Sequence, residues 1–254
     1  MKIQEIIQQK LSEIEEKENV TVLHAVESGS RAWGFASPDS DYDVRFVYVR
    51  REEDYLRLGK QRDVIEWQLD ETLDINGWDL QKALRLMYDS NPTLFEWCFS
   101  PVVYRTSAYW KTVCAAAGEY FSPKAGCYHY LNMAKHNYQA YLRGETVRLK
   151  KYFYVLRPLL ACRWILERGT VPPVAFETLR EAMLPDELRE TVDDLVRRKM
   201  QTPELGEEAP IPLLHDWLTR SIAELEAKAA DILPEKKPDW TALDRLFLDG
   251  LRGQ

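Results

Sequence analysis

Apolar residues follow a helical period at the start of the chain and a strand pattern soon after it. From Ile3 to Ile14 they recur every three or four positions, with Glu, Gln and Lys between them, which predicts an amphipathic helix. The runs "VTVLHAVE" (20–27) and "YDVRFVYV" (42–49) are short, apolar and rich in β-branched residues, so both predict strands.

Two more strands and a second helix are predicted before residue 92. The runs "DVIEWQLD" (63–70) and "ETLDIN" (71–76) have the pattern of a strand pair. The stretch "GWDLQKALRLMYDSNP" begins a helix with apolar residues on one face, and Asn91-Pro92 ends it. The first hundred or so residues therefore mix helices and strands.

Long helical patterns replace the β-branched clusters after residue 105. The stretches "LNMAKHNYQAYLRG" and "VRLKKYFYVLRPLLACRWILERG" both end in Gly, as helices often do. Pro158 lies inside the second pattern, so a kink or break is expected near Arg157. An acidic, Pro-rich connector at 200–212 and a helix from about 213 to 232 follow, with a short helix near the C-terminus.

These patterns predict an α+β protein in two parts. Residues 1–105 form an α/β domain, and residues 106–254 form an all-helical domain. With 254 residues, 45% hydrophobic and 30% charged, the chain is long enough to bury real cores. No apolar stretch is long enough to cross a bilayer, and the charged N-terminus differs from a signal peptide. We therefore expect no membrane partner.

Cysteine spacing and charge bear on the cellular compartment and on binding to nucleic acid. The four cysteines lack the spacing of a zinc site, which favours free thiols in a reducing compartment and predicts a cytoplasmic protein. The formal net charge of −7 argues against indiscriminate binding to nucleic acid. Between Lys124 and Arg168, however, nine Lys or Arg stand against two Glu, a local excess of +7 that would attract a polyanion.

The segment "ESGSRAWGFASPDSDYDVRFVYV" (27–49) holds the clearest candidate chemistry. Asp41 and Asp43 are two positions apart, so on an extended chain both carboxylates point to one face while Tyr42 faces the core. Two such anions repel each other unless a cation lies between them, and Mg²⁺ binds carboxylates together with substrate phosphates. Upstream, Gly29 permits close backbone approach and Ser30 adds a hydroxyl, as a phosphate-binding turn requires.

Taken together, these residues resemble a known pattern. Ten residues separate Ser30 from Asp41, and "VRFVYV" follows Asp43. This resembles the DNA polymerase β-type nucleotidyltransferase superfamily, in which a Gly-Ser turn precedes a hydrophobically flanked Asp-x-Asp. More narrowly, "SGSRAWGFASPDSDYDVRF", "GWDLQKALRLMYDSNPTLFEW", "SPVVY" and "KKYFYVLRPLLACRW" resemble the predicted nucleotidyltransferase family associated with bacterial RNA-ligase repair operons, often called RlaP or YcgL-like. The resemblance extends from about residue 20 to residue 175.

The resemblance implies a polymerase β-like domain with a short mixed sheet and flanking helices, and a third acid on another strand. Asp74, in "LDI", matches that position best; Glu66 and Asp79 remain alternatives, although Asp79 is better placed to cap a helix. In this interpretation Asp41 and Asp43 bridge two Mg²⁺ ions, which Mn²⁺ could replace, and Asp74 binds the ion nearer the acceptor hydroxyl.

The resemblance also implies residues that bind the nucleotide. Around the turn these are Gly29, Ser30, Arg31 and Ser40. In the helical half, Lys150, Lys151, Tyr154 and Arg157 belong to a matching stretch at helical spacing, and we expect them to close the cleft over the triphosphate or the acceptor.

The predicted reaction is transfer of a nucleoside monophosphate from a nucleoside triphosphate (NTP) to a hydroxyl, with release of pyrophosphate. The operon association of the resembled family favours an RNA 3′ end as acceptor. Adenylylation of a partner protein is a second interpretation. A third is a nucleotide-binding regulator or antitoxin-like module without turnover. The base preference and the oligomeric state leave no trace in the sequence.

Overall fold

The computed structural model describes residues 2–59, 61–70, 72–201, 206–233 and 237–253. It is an α+β structure, and the contacts within the chain divide it into two compact units. The sheet unit comprises residues 1–32, 41–120 and 237–254, and the helical unit comprises residues 33–40 and 121–236. The predicted α+β class is confirmed.

A five-stranded mixed sheet organises the sheet unit. Its strands are β1 (Thr21–Glu27), β2 (Tyr42–Val49), β3 (Val64–Asp70), β4 (Leu73–Asp79) and β5 (Val103–Thr106). Their spatial order is β3-β4-β2-β1-β5. The neighbours β2 and β4 are parallel, and the other three pairs are antiparallel. The second Asp of the Asp-x-Asp motif thus lies on a central strand.

Helices make up most of the remaining structure. In chain order they are α1 (Ile3–Glu18), α2 (Gly29–Trp33), α3 (Glu52–Tyr55), α4 (Leu80–Tyr88), α5 (Pro92–Cys98), α6 (Ala108–Ala116), α7 (Pro123–Tyr141), α8 (Phe153–Arg168), α9 (Phe176–Met183), α10 (Asp186–Gln201), α11 (Pro212–Ala230) and α12 (Thr241–Arg252). A two-residue pairing joins β6 (Val147–Arg148) to β7 (Glu207–Glu208).

The period-two pattern of β2 positions its acidic residues. Val44, Phe46 and Tyr48 form a buried cluster with the apolar stripe of α1. Because successive side chains alternate between the faces of a strand, Asp43 and Arg45 point to the opposite face. Burying one face against α1 therefore presents the acidic end of β2 on the other.

Most predicted elements are present, with three differences. Strand β4 continues to Asp79, beyond the predicted end at residue 76, before α4 begins. Helix α8 runs through Pro158 without the break that we considered, and it ends at Gly169 in the left-handed conformation, as predicted. Helices α9 and α10 lie in the predicted all-helical part, where no individual helix was predicted for this stretch.

The division into units differs from a single boundary near residue 105. Residues 106–120 and the C-terminal segment from 237 group with the sheet, whereas residues 33–40 group with the helices. Helix α12 is held to the sheet unit by Tyr109, whose hydroxyl donates to the Leu246 carbonyl (2.6 Å), and by an edge contact between Tyr55 and Phe247. No helix among the described residues has the length and apolar character that a membrane span requires.

Candidate functional site

Asp43 and Asp74 lie side by side on neighbouring strands. In the parallel pairing of β2 with β4, Asp43 is the register partner of Asp74. One guanidinium contacts both carboxylates, because Nη2 of Arg45 is 3.0 Å from Asp43 Oδ1 and 2.8 Å from Asp74 Oδ2. The structure therefore joins two of the three predicted acids, with a cation between them. We call Asp43 and Asp74 the carboxylate pair.

The Gly29 turn packs directly against this pair. Gly29 has a φ of +60°, and a Cβ at this position would lie 2.2 Å from Asp43 Oδ2. The preceding residue, Ser28, donates its backbone N–H to the Asp43 carbonyl (2.8 Å). Two separate features thus require glycine at position 29. One is its left-handed backbone conformation, and the other is that the Asp43 carboxylate fills the space of a Cβ. The turn and the Asp43 carboxylate are therefore in direct contact.

Glu27 supports Asp43 from the end of β1. Its side chain is buried, and Oε1 accepts the backbone N–H of Asp43 (2.8 Å). The hydroxyl of Tyr104 on β5 donates to the other oxygen, Oε2. Burial raises the pKa of Glu27, against the opposing effect of these hydrogen bonds. Glu27 thus fixes the backbone of β2 at Asp43, the residue whose carboxylate faces Asp74.

The acids are only partly neutralised by their surroundings. Burial is the main cause that raises the pKa of Asp43, and the charges of Asp74 and Asp41 raise it further. Arg45 is the main opposing influence, with a smaller one from Arg31. The site therefore gathers more negative charge than its arginines balance, which favours binding of a cation.

Asp41 and Arg31 lie at the edge of this group. Asp41 is exposed and directly precedes β2. Arg31 donates Nε–H to the Asp41 carbonyl (3.0 Å), and its guanidinium lies 3.7 Å from the centre of the Tyr42 ring. Ser30 is in the short helix α2 that follows the turn.

The alternative third acids lie elsewhere. Glu66 is exposed on β3, where its register partner is Asn76 rather than Asp74. Asp79 is at the far end of β4 and caps α4, as predicted, by accepting the Gln81 N–H (2.8 Å). Of the three candidates, Asp74 is the one that faces Asp43.

The other predicted nucleotide-binding residues lie in the helical unit. The Ser40 hydroxyl is 2.8 Å from that of Ser37. Lys151 lies over the rings of Tyr141 and Tyr154, at 3.9 Å and 4.9 Å from their centres. Lys150 precedes it in a short 3₁₀ helix, Leu149–Tyr152.

Arg157 is buried, unlike the two lysines. It donates from Nη2 to the Val174 carbonyl (3.2 Å), and its guanidinium lies 4.6 Å from the centre of the Trp33 ring. The ring of Tyr154 meets the same indole edge-on. Tyr154 and Arg157 thus share one side of α8, as the spacing predicted.

The carboxylate pair suits a divalent cation in charge and in donor type. Oxygen ligands are those that Mg²⁺ prefers, and Mg²⁺ usually takes one or two carboxylates together with substrate phosphates. Among the described residues, no three His, Cys, Asp or Glu side chains are grouped closely enough to hold a metal ion by themselves. The described residues therefore offer a divalent cation two neighbouring carboxylates, Asp43 and Asp74.

Sequence reasoning missed Arg45 and Glu27. Arg45 could have been found, because it lies two positions after Asp43 and so shares its strand face. Glu27 had no comparable signal, since a carboxylate at a strand end is usually solvated.

Comparison with known proteins agrees with the motif. The model of the RlaP family, described as an RNA repair pathway DNA polymerase beta family, matches residues 3–249. The chain belongs to this family. As a member of a polymerase β family it is a nucleotidyltransferase. The uncharacterized protein YcgL of Bacillus subtilis (strain 168) is 45% identical over 244 residues, which cover 94% of this chain and 93% of that protein.

A solved structure gives a weaker likeness. The crystal structure of a nucleotidyltransferase-like protein from Exiguobacterium sibiricum 255-15 is 14% identical and has a TM-score of 0.32. The match covers 99% of this chain and 80% of that chain. At this TM-score the likeness supports no conclusion, and the assignment depends on the family match.

Proposed function

We propose that this RlaP family member is a Mg²⁺-dependent enzyme that transfers a nucleoside monophosphate from an NTP to the 3′ hydroxyl of an RNA, with release of pyrophosphate. The observation that carries the proposal is the pairing of Asp43 with Asp74 against Gly29. The description of the family, which names RNA repair, supports RNA as the acceptor. We also propose that the enzyme works in the cytoplasm, in agreement with four cysteines that are all free thiols.

Asp43 and Asp74 are the residues that would hold the metal, and Asp41 adds a third negative charge beside them. When bound, Mg²⁺ neutralises phosphate charge and lowers the pKa of a coordinated hydroxyl, and Mn²⁺ is an expected substitute. The side chain of Asp74 is 51% exposed, compared with 32% for Asp43. Asp74 is thus the carboxylate that an acceptor can reach more easily. We propose that it accepts the proton of the acceptor hydroxyl.

The Gly29 turn would position the phosphates. Since Gly29 has no side chain, the turn backbone can come close to phosphate oxygens, and the hydroxyl of Ser30 follows it. Arg31, held over Tyr42, brings a positive charge to the same turn. Catalysis of this type depends mainly on positioning and on charge stabilisation.

We propose that the triphosphate or the acceptor is bound by Lys150, Lys151, Tyr154 and Ser40. Arg157 is proposed to position these residues rather than to bind the ligand, because its buried guanidinium contacts Trp33 and the Val174 carbonyl just before α9. The two lysines are more accessible and can contact phosphate directly.

The test is the transfer of label from α-labelled ATP, CTP, GTP or UTP, in the presence of Mg²⁺, to total RNA or to proteins of a cell lysate. We expect label on RNA, at its 3′ end. Label on protein would instead indicate adenylylation of a partner. Absence of label under every condition would indicate a nucleotide-binding regulator and contradict the proposed enzyme.

Four carboxylate variants make this test specific. Asp41→Asn, Asp43→Asn and Asp74→Asn are each expected to lower transfer by about 10³-fold or more, because each removes a charge that faces the phosphates. Glu66→Gln is the matched control, since it removes an exposed carboxylate from the neighbouring strand. Circular dichroism should show that all four variants fold. If Glu66→Gln abolished transfer and Asp74→Asn did not, the third acid would be Glu66.

A further inference from the structure

Lys199 is a buried lysine with few partners. It lies in the last turn of α10, and only 9% of its surface is exposed. Its ammonium is 3.4 Å from the Ser37 hydroxyl and 6.0 Å from the centre of the Phe35 ring. An ammonium has three N–H donors, and within the part of the chain that the structure describes this one makes a single long hydrogen bond. Such a group is costly to bury unless another partner satisfies it.

The charges around Lys199 do not neutralise it. In the described part of the chain, no carboxylate forms an ion pair with its ammonium. Burial and then the like charge of Lys150 lower the pKa of Lys199, and the charge of Asp39 opposes them. Lys150 thus adds a like charge to the environment of the buried Lys199. An anion bound at the Lys199 ammonium would offset the like charge and accept its remaining N–H donors.

A serine turn adds hydroxyl groups beside this ammonium. Ser37 is buried, with 8% of its surface exposed. The Ser40 hydroxyl accepts the Ser37 backbone N–H (2.9 Å), and the two hydroxyls are 2.8 Å apart. This arrangement fixes the Ser37 hydroxyl at the lysine, where it can donate to the same oxyanion.

We propose that Lys199, together with the Ser37 hydroxyl and the charge of Lys150, binds a terminal phosphate group. A buried ammonium suits a terminal phosphate better than an internal phosphodiester, whose chain must continue on both sides. The terminal phosphate of a nucleotide and that of an RNA end share this chemistry, and the titrations below distinguish the two sources.

The test is calorimetric titration of the full chain with tripolyphosphate in the presence of EDTA, so that no metal links the ligand to the carboxylates. Lys199→Gln should weaken binding by roughly tenfold or more, and Lys199→Arg should retain it within about threefold. Arg197→Gln is the matched control, because it removes an equal charge from the same turn of α10 at an exposed position. The proposal is overturned if Lys199→Gln binds like the native protein, or if the native protein binds no tripolyphosphate.

Two further measurements separate the possible outcomes. Asp43→Asn should still bind tripolyphosphate in EDTA, so loss of transfer activity and loss of the phosphate site can be told apart. Titration with ATP and with 5′-phosphorylated and 5′-hydroxyl oligoribonucleotides identifies the source. Binding of ATP that depends on Lys199 supports the site with a nucleotide as the source of the phosphate, and such dependence for the 5′-phosphorylated RNA alone supports it with an RNA end as the source. Dependence for neither ligand overturns the proposal. If Lys199→Gln fails to fold, Ser37→Ala should weaken tripolyphosphate binding by about threefold or more.

Discussion

At the scale of single residues, Gly29 links the turn to the carboxylate pair. Gly29→Ala should lower transfer sharply, by about 10²-fold or more, because the new Cβ would displace the Asp43 carboxylate. Left-handed backbone also disfavours Ala, at a cost of about 1–2 kcal/mol in the free energy of unfolding. Transfer assays and thermal denaturation measure the two effects separately.

Gly169→Ala is the control for this variant. Gly169 has a φ of +66°, close to that of Gly29, but a Cβ there would meet nothing within 4 Å. The control should therefore lose a similar amount of stability and keep its activity. Equal activity in Gly29→Ala and Gly169→Ala would mean that the contact with Asp43 is unimportant.

Arg45 allows a second prediction at this scale. Its guanidinium occupies the space between Asp43 and Asp74, so a divalent cation has to displace it. In Arg45→Met, Mg²⁺ should therefore raise the melting temperature more than in the native protein, by about 2 °C or more if the difference is about 1 kcal/mol. Adding Asp74→Asn to this variant should cancel the gain. An equal Mg²⁺ effect with and without Arg45 would contradict the competition.

The residues of the motif could be predicted because local patterns define them. Asp43 and Gly29 are recognisable from a glycine turn and a period-two strand, both of which need only neighbouring positions. Lys199 could not be found in this way, because it meets Ser37 across 162 positions of the sequence. Lys199 is notable because it is buried. The sequence of α10 contains many charged residues and does not show which of them the fold buries.

At the scale of elements, β1 contains a buried histidine. His24 is buried against Trp110 and hydrogen-bonds the Trp97 carbonyl (3.1 Å). Burial is the main cause that lowers its pKa from 6.5 to about 4. Between those values the unfolded chain is protonated at His24 and the folded chain is not. Protonation of His24 in the unfolded chain therefore lowers the free energy of unfolding as the pH falls from 6.5 to about 4, by about 3 kcal/mol in total.

His24→Gln should remove this part of the pH dependence, since Gln can still donate to the Trp97 carbonyl but does not titrate. Urea denaturation of both proteins from pH 7 to pH 4 measures the difference. The difference in the free energy of unfolding between native and variant should change by about 3 kcal/mol over this range. Parallel pH profiles would show that His24 is not held neutral by the fold.

The strands were easier to predict than the later helices. β1 and β2 are β-branched runs bounded by turn residues, so their positions follow from local pattern. In α8 the local rule fails, because the burial of Leu156, Leu159 and Ile165 outweighs the cost of about 3 kcal/mol for a proline inside a helix. In α10 the apolar spacing was present, but charged residues surround it and dilute the signal.

At the scale of the whole molecule, part of the basic excess between residues 124 and 168 is neutralised. In the part of the chain that the structure describes, three of its nine basic residues form ion pairs with glutamates outside that range: Lys135 with Glu226, Arg148 with Glu207, and Arg163 with Glu224. The sequence count could not show this, because the partners are more than fifty residues away. At most six of the nine basic residues remain for phosphate.

This limits how steeply RNA binding can depend on salt. For RNA that contacts this stretch alone, six contacts with about 0.7 counterions released per contact to a single strand give a slope of log K against log [salt] no steeper than about −4. Filter binding of an oligoribonucleotide between 50 and 200 mM salt, about the range over which such effects are usually resolved, measures the slope. Glu226→Gln should steepen it by less than one unit. A slope near that of nine contacts would show that the ion pairs open on binding.

The path of the chain through the two units has a practical consequence. The backbone passes from one unit to the other near residues 32, 40, 120 and 236. A fragment that stops at residue 120 would lack α12, and with it the carbonyl of Leu246 that receives the Tyr109 hydroxyl. Neither unit can be released by cutting a single peptide bond. Each would have to be produced as a circularly permuted or internally joined chain, so a two-hybrid library of random fragments would rarely contain either of them intact.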